Sequence, residues 1–329
     1  MSEPRPVIAV DAMGGDHGPS VVVPGALANL KADSPFTVAL YGDESALRAA
    51  VSAAGGENLP VTIVPCTQDI EMGESPASAI RNKKDSPIVR AMVDQKAGQV
   101  QAVVSAGSTG AMVAASLIIL GRAPGVDRPA IATVIPTVKG ELVLLDAGAN
   151  IQCSAEHLVS FARMGRIFSS AMFGLENPTV GQLNIGSEPK KGTELCVETY
   201  ALLQAADLNF IGNIEGNDLM LGPCDVVVTD GYTGNITLKM VEGFARFMGA
   251  LLKHPRITGS ESAALRPVLG FLQKNFTYEV YGGAMLLGVN GISIISHGRS
   301  SALAITNAVR VAAEMIRNEV PAKLAAAHS

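Results

Sequence analysis

The sequence predicts a three-layer α/β/α protein, doubly wound around a mostly parallel sheet, and three observations carry that expectation. Short β-branched runs recur along the 329 residues, separated by segments long enough for a helix, which is the pattern of βαβ units. Most of the runs are predominantly apolar without alternation, as strands covered on both faces are. A polar, glycine-rich turn follows six of them, at the sheet edge where parallel strands hold ligands.

In order, the runs are VIAV at 7–10, TVAL at 37–40, VTIV at 61–64, AVV at 102–104 and IATVI at 131–135. LVLL at 142–145, QLNI at 182–185, LNFI at 208–211, DVVV at 225–228 and ISII at 292–295 complete the set. The stretch around 102–104 needs its own argument, because no residue from Ala97 to Gly121 is charged and a membrane-spanning helix takes only about 20 apolar residues. At its centre stand Ser105, Gly107, Ser108, Thr109 and Gly110, poor filling for a lipid-facing helix. The stretch therefore divides into a strand, a turn and a helix from about Thr109 to Leu120. Such a turn presents backbone N–H groups at the positive end of a helix, and small residues let an anion approach closely; a plain glycine-rich cap has the same sequence signature.

SAEHLVSFARMG predicts a helix capped by Ser154 and stopped at Gly165. Two helices flank KHPRITGSES between about Gly243 and Gly283 and are expected to project from the sheet. No solenoid repeat or low-complexity linker interrupts the chain, so 1–329 reads as a single domain with that projecting segment.

At 48% hydrophobic residues the chain can bury a large core, and a formal net charge of −5 gives no basic field for nucleic acid. The start, MSEPRPVIAVDAMGG, lacks the basic and apolar regions of a secretory signal, so a cytoplasmic protein is expected. Cys66, Cys153, Cys196 and Cys224 form no CxxC pair, and the histidines show no HxH or HExxH spacing, so no metal site is expected. GxxxxGK[ST], GxGxxG after a strand and GxSxG are all missing. Nucleotide hydrolysis, dinucleotide redox chemistry and serine-hydrolase chemistry lose their usual support, and anion binding by backbone N–H groups and lysine remains.

The informative residues follow the strands: DAMGGDHGP after Val10, SAGSTG after Val104, DAGAN after Leu145, GSEPKKG after Ile185, TDGYTGN after Val228 and SHGRSS after Ile295. Shared on one rim, these turns describe one active-site cleft. Each residue also has a plainer role. Asp11, Asp146 and Asp230 suit helix caps or Asx turns, Cys153 a small buried apolar group, His297 a satisfied turn, and Lys190 with Lys191 a solvated helix start.

Together IAVDAMGGDHGP, ESPASAIRNKKDSP, VSAGSTGA, LLDAGAN with the following Cys and EHL, NIGSEPKKG, VVTDGYTGN and YGGAMLLG resemble the phosphate acyltransferase (PlsX) family of bacterial phospholipid synthesis, over Val7 to about Arg317. The resemblance implies a fold similar to phosphotransacetylases and isocitrate/isopropylmalate dehydrogenases, and a homodimer working without metal, nucleotide or other cofactor. It implies reversible transfer of a long-chain acyl group from acyl carrier protein to inorganic phosphate. The acyl phosphate would pass to a membrane glycerol-3-phosphate acyltransferase. A phosphotransacetylase using a short-chain acyl-CoA and a membrane-associated scaffold for lipid synthesis are the competing expectations.

The chemistry of phosphate attack on a thioester then assigns phosphate to Ser105, Gly107, Ser108, Thr109 and Gly110 together with Lys191, with Asn235, Thr233 and Gly234 as further phosphate or oxyanion contacts. Lys191, Asp230, Asn235 and His297 are the candidate catalytic residues. Asp11, Asp16, His17, Asp146 and Asn150 are placed on the remaining rim. Acyl carrier protein, which is acidic, is expected at Arg81, Lys83, Lys84, Arg90, Lys253 and Arg256. Leu265, Val268, Leu269 and Leu272 follow i, i+3, i+4, i+7 and are assigned to peripheral membrane contact, with core packing as the plainer role; Phe244, Phe247, Leu251, Leu265, Leu269 and Leu272 are expected near the acyl chain. Bound phosphate can itself attack a reactive thioester, so no acyl-enzyme on Cys153 is expected, although His157 follows at i+4.

Overall fold

The computed structural model describes residues 5–71, 73–252 and 282–327. It forms two compact units, Met1–Ile131 with Ile167–Leu175 and Tyr281–Ser329, and Ala132–Arg166 with Glu176–Val280.

The first unit is built on β1 (Val7–Asp11), β2 (Thr37–Gly42), β3 (Val61–Pro65), β4 (Ala102–Ser105), β10 (Ala284–Leu287) and β11 (Ser293–Ile295), in the order β3-β2-β1-β4-β11-β10. The first five in that order run parallel, and β10 pairs antiparallel with β11. Ile8, Val10, Val38, Leu40, Val103 and Val104 are wholly buried, as expected for strands flanked by helices. Among those helices are α1 (Pro19–Leu27), α2 (Glu44–Ala53), α3 (Pro76–Asn82), α4 (Pro87–Lys96) and α5 (Thr109–Ala115). Local chemistry sets their starts: Asp43 accepts the Ala46 N–H at 2.8 Å to cap α2, and Ser108 caps α5 through the Ala111 N–H. The helix Ala302–Arg317 packs on α1 at Gly25, where a Cβ would lie 2.5 Å from the Ala302 carbonyl oxygen.

The second unit contains β5 (Ala130–Thr137), β6 (Gly140–Leu145), β7 (Thr179–Asn184), β8 (Asn209–Glu215) and β9 (Val226–Val228), in the order β5-β6-β9-β7-β8. Ile135, Leu142, Leu144, Leu183, Ile214 and Val227 form its buried core. Its helices are α6 (Ala155–Phe173, which continues into the first unit), α7 (Glu194–Ala205) and α8 (Gly231–Leu252).

The mostly parallel sheet stands, and four details refine the sequence reading. The β5–β6 pair is antiparallel, because Val138 and Lys139 alone connect the strands and a parallel crossover takes about a dozen residues. β10 is a strand that the sequence reading lacks. The helix expected to stop at Gly165 runs on to Phe173 and ends at Gly174, whose φ is 71°. Gly165 is instead a packing glycine, since a Cβ there would meet Val226 Cγ1 at 2.5 Å and Leu145 Cδ1 at 3.0 Å. The helix expected over 109–120 changes to π geometry at Ser116–Leu120. Of the projecting segment, Gly243 to Leu252 continues α8; residues 253–281 lie outside the described residues, among them Lys253, Arg256, Leu265, Val268, Leu269 and Leu272. No described helix is long and apolar enough to cross a membrane.

Candidate active site

The six polar turns divide between the units. Those after β1, β4 and β11 belong to the first, and those after β6, β7 and β9 to the second.

In the first unit the turn after β4 carries the anion chemistry. Asp11 ends β1 and is 3% exposed. Its Oδ1 accepts the N–H groups of Met13 at 3.2 Å and Gly14 at 3.1 Å, and its Oδ2 accepts the Ser105 hydroxyl at 2.6 Å. The same Ser105 Oγ accepts the Gly107 N–H at 2.9 Å. Ser105 and Gly107 thus engage each other within the turn. The next N–H groups, those of Ser108, Thr109 and Gly110, precede the first intrahelical bond of α5, donated by Met112 to the Ser108 carbonyl at 3.0 Å, and have no protein acceptor among the described residues. Three adjacent open donors at a helix start suit a multiply charged anion.

Asp11, Asp16, Asp69, Glu71 and Gly107 share a neighbouring cavity of about 310 Å³. Four carboxylates around it make that cavity unsuited to phosphate. Burial pushes the Asp11 carboxyl up to about 6, against the lowering effect of its hydrogen bonds, and Asp69 adds to the rise. The turn after β11 joins the turn after β1 through Asp16 N–H to the Gly298 carbonyl at 2.7 Å. His297 accepts the Arg299 N–H on Nδ1 at 3.0 Å, which matches its plainer role as a turn residue. His17 is exposed, and its carbonyl accepts the Ser20 hydroxyl.

In the second unit Asp146 is fully buried and organises its own loop. It accepts the N–H groups of Gly148 and Ala149 on Oδ1, and the Asn150 N–H at 2.6 Å and Asn150 Nδ2 at 3.0 Å on Oδ2. The Asn150 carbonyl accepts the Gly231 N–H at 2.8 Å, which ties this loop to the start of α8. There Asp230 caps the helix, taking the Thr233 N–H at 2.9 Å and the Thr233 hydroxyl at 2.8 Å. The Gly234 amide donates to the Asp230 carbonyl at 2.9 Å. Thr233 and Gly234, expected as phosphate or oxyanion donors, therefore have these donors engaged in capping and helix bonding. Asn235 donates one amide hydrogen to the Ala147 carbonyl at 3.1 Å. Lys191 is exposed on the turn after β7, 3.7 Å from Glu188, and Asn184 and Asn213 hold that turn through the Lys191 and Glu188 carbonyls.

Cys153 donates to the Asn150 carbonyl at 3.6 Å, while His157 Nδ1 accepts the Ser154 N–H at 2.9 Å and the His157 N–H reaches Ser154 Oγ at 3.4 Å. Ser154 and His157 form a reciprocal capping box, with histidine in the place usually taken by Glu or Gln.

Among the described cations expected to dock a carrier, Lys83 pairs with Glu74 at 2.5 Å and Arg90 with Asp85 at 2.7 Å. Lys84 donates to the Ile80 carbonyl, and Arg81 is exposed. Half of this basic run is thus neutralised locally. Of the outward stripe on α8, formed by Tyr232, Ile236, Met240, Phe244 and Phe247, each 49–70% exposed, the sequence singled out Phe244 and Phe247 and missed the other three. Their spacing of three and four residues sets them along one face and is visible in the sequence. Val241 on the same helix packs against the core instead.

A family model described as "Fatty acid synthesis protein" matches residues 7–323. The chain is 49% identical over 317 residues to a phosphate acyltransferase of Desulfitobacterium hafniense, covering 94% of each chain. It is 45% identical over 317 residues to one of Thermodesulfovibrio yellowstonii, covering 95% of this chain and 91% of the relative. In fold it resembles the EutD phosphotransacetylase from Staphylococcus aureus, with a TM-score of 0.62, 16% identity and 94% of each chain covered. A 4-hydroxythreonine-4-phosphate dehydrogenase from Burkholderia phymatum matches at TM-score 0.51 and 16% identity, over 98% of this chain and 99% of that one. The turns after the strands and the full-length likeness agree, and the chain belongs to the phosphate acyltransferase family.

Proposed function

We propose that the protein reversibly transfers a long-chain fatty acyl group from acyl carrier protein to inorganic phosphate, giving acyl phosphate for phospholipid synthesis. The observation that carries the phosphate half is the run of open N–H groups at Ser108, Thr109 and Gly110. A phosphate oxygen attacks the thioester carbonyl, a carbon–oxygen bond forms, and the collapsing tetrahedral oxyanion expels the thiolate with the carbon–sulfur electron pair. Because that thiol has a solution pKa of about 8–9, strong acid catalysis is unnecessary. Holding a multiply charged nucleophile in place and stabilising the oxyanion are the tasks that remain. To the second we assign Lys191 and the amide of Asn235.

The long-chain half is supported by the α8 stripe. From Tyr232 to Phe247 it extends for roughly 22 Å at 1.5 Å per residue, a length suited to a long rather than a short acyl chain. Carrier docking would use Arg81 with Lys253 and Arg256, supplemented by Lys83, Lys84 and Arg90 where the carrier's carboxylates displace their local partners. A homodimer, peripheral contact with a membrane from the cytoplasmic side and delivery of acyl phosphate to a membrane glycerol-3-phosphate acyltransferase complete the proposal. The competing donor is a short-chain acyl-CoA. Comparing kcat/KM for palmitoyl-acyl carrier protein and acetyl-CoA at saturating phosphate separates the two. Preference for the carrier-bound long chain is expected, and preference for acetyl-CoA would replace this donor assignment.

A further inference from the structure

We propose that Asp11 is the positioning residue of the phosphate turn: through the Ser105 hydroxyl it turns the Gly107 N–H inward and leaves the Ser108, Thr109 and Gly110 N–H groups as open donors. This rests on the phosphate assignment above. The relay has two bonds, Ser105 Oγ to Asp11 Oδ2 at 2.6 Å and Gly107 N–H to Ser105 Oγ at 2.9 Å. It joins the ends of adjacent parallel strands, since Asp11 and Ser105 are register partners in β1 and β4.

The polarity of the relay follows from donor inventory. An ionised carboxylate only accepts, so the Ser105 O–H must point at Asp11, and a Ser105 lone pair is then available to the Gly107 N–H. Once Asp11 is protonated it can donate to Ser105, and the serine hydrogen is released to point elsewhere. Gly14 permits the close packing: a Cβ at that position would lie 2.7 Å from both Asp11 Oδ2 and the Gly107 nitrogen. At Gly107 a Cβ would lie 3.1 Å from Ser105 Oγ and 3.2 Å from Asp11 Oδ2. Both glycines keep the relay clear of side chains.

The site is also set up to respond to pH. Asp11 titrates at about 6, raised by burial first and by the charge of Asp69 among lesser causes. Asp16 and Glu71 line the same cavity. Cys66, which feels the Asp11 charge, is pushed up to about 12, chiefly by burial, and stays neutral, as does Tyr41, whose hydroxyl donates to Asp94 and whose pKa is raised. The relay is therefore set near neutral pH and reverses as pH falls through the Asp11 titration.

The test compares wild type, Asp11→Asn, Ser105→Ala and the double variant, with palmitoyl-acyl carrier protein as donor. In Asp11→Asn the amide would donate to Ser105, mimicking the protonated state. The expected result is a phosphate KM raised by about 10- to 150-fold, the range for a hydrogen bond to a charged group, with the donor KM unchanged. The double variant should be no worse than the poorer single one, because both break one relay. The wild-type to Asp11→Asn ratio of kcat/KM for phosphate should fall as pH drops through about 6, a ratio in which ionisation of phosphate itself cancels. Should Asp11→Asn not fold, Ser105→Ala keeps the carboxylate and reads the same relay. Thr109→Pro, which deletes one open N–H, separates the two ways of failing. If it raises the phosphate KM while Asp11→Asn and Ser105→Ala leave it at the wild-type value, the relay is wrong and the turn stands. If none of the variants moves it, the turn does not hold phosphate and the proposal falls with it. Additive effects of Asp11→Asn and Ser105→Ala would also overturn it.

Discussion

Thr109→Pro is the cleanest perturbation of the phosphate turn, because the fold tolerates proline there while the chemistry does not. Thr109 is the first residue of α5, the helix position where a missing N–H costs nothing internally and where proline is favoured. The preceding Ser108 has φ −61° and ψ 117°, the extended region required before proline. The side chain at 109 is exposed, so the ring meets solvent. A compatible proline shifts stability by about +0.4 to +1 kcal/mol through the unfolded chain, whereas one hydrogen bond to a charged group contributes about 1.5–3 kcal/mol. At 1.36 kcal/mol per factor of ten, phosphate KM should rise by about 10- to 150-fold. Steady-state kinetics with varied phosphate measure this, and thermal unfolding checks the fold. Thr109→Ala, which keeps the N–H, controls for the hydroxyl. Gly107→Val would be less clean, because a Cβ at 107 meets the Asp11–Ser105 pair. A folded Thr109→Pro protein with a phosphate KM within twofold of wild type would refute the assignment.

Further outcomes follow from the same geometry. Lys191→Ala and Asn235→Ala should each lower kcat by about 100- to 1000-fold if they serve the oxyanion; near-normal kcat in either moves that role elsewhere. Cys153→Ala should retain substantial turnover, and labelled acyl donor without phosphate should leave no label on denatured wild-type protein; stoichiometric label lost in Cys153→Ala would establish a two-step transferase. For Asp11 the folded pKa lies above the unfolded one, so the native state holds the extra proton between about pH 4 and 6, and this stabilisation, on the order of 3 kcal/mol, is lost as pH rises through that window. Asp11→Asn should lack this loss, so its Tm relative to wild type should increase from pH 4.5 to 7.5; a constant difference would contradict the buried-carboxylate account. On α8, Met240→Glu should depress kcat/KM for palmitoyl donors more than for butyryl donors, and equal depression would remove the stripe from the acyl path.

The strands were legible because burial on both faces leaves a continuous apolar run, and VIAV, TVAL and AVV all fall in parallel strands of the first unit. β10 escaped because its four residues follow Gly282 and Gly283, both at positive φ, and the short run AMLL resembles a helix segment equally well. Gly165 shows a different limit: a glycine that admits a neighbouring strand and one that ends a helix look alike in sequence, and packing against Val226 decides between them. In the site, the residue types were legible while their bonding was not. Asp230 and Thr233 have the spacing of a helix cap, and the structure makes them one. Ser105 and Gly107 sit in the expected turn, yet the serine hydroxyl engages the glycine N–H and shifts the open donors to Ser108, Thr109 and Gly110. That pairing depends on Asp11, which is 94 residues away in sequence and adjacent only through β-sheet register. The basic run at 81–90 likewise appeared available for a carrier until Glu74 and Asp85 were found paired with Lys83 and Arg90.

The central claim is acyl transfer to inorganic phosphate, and one measurement addresses it directly. Purified protein is incubated with palmitoyl-acyl carrier protein and 32P-labelled phosphate, and the products are split into hydroxylamine-treated and untreated halves. The account predicts a lipid-soluble 32P product formed in step with free carrier thiol and destroyed by hydroxylamine, as an acyl phosphate must be. Thiol release at the same rate with and without phosphate, and no labelled product, would contradict it.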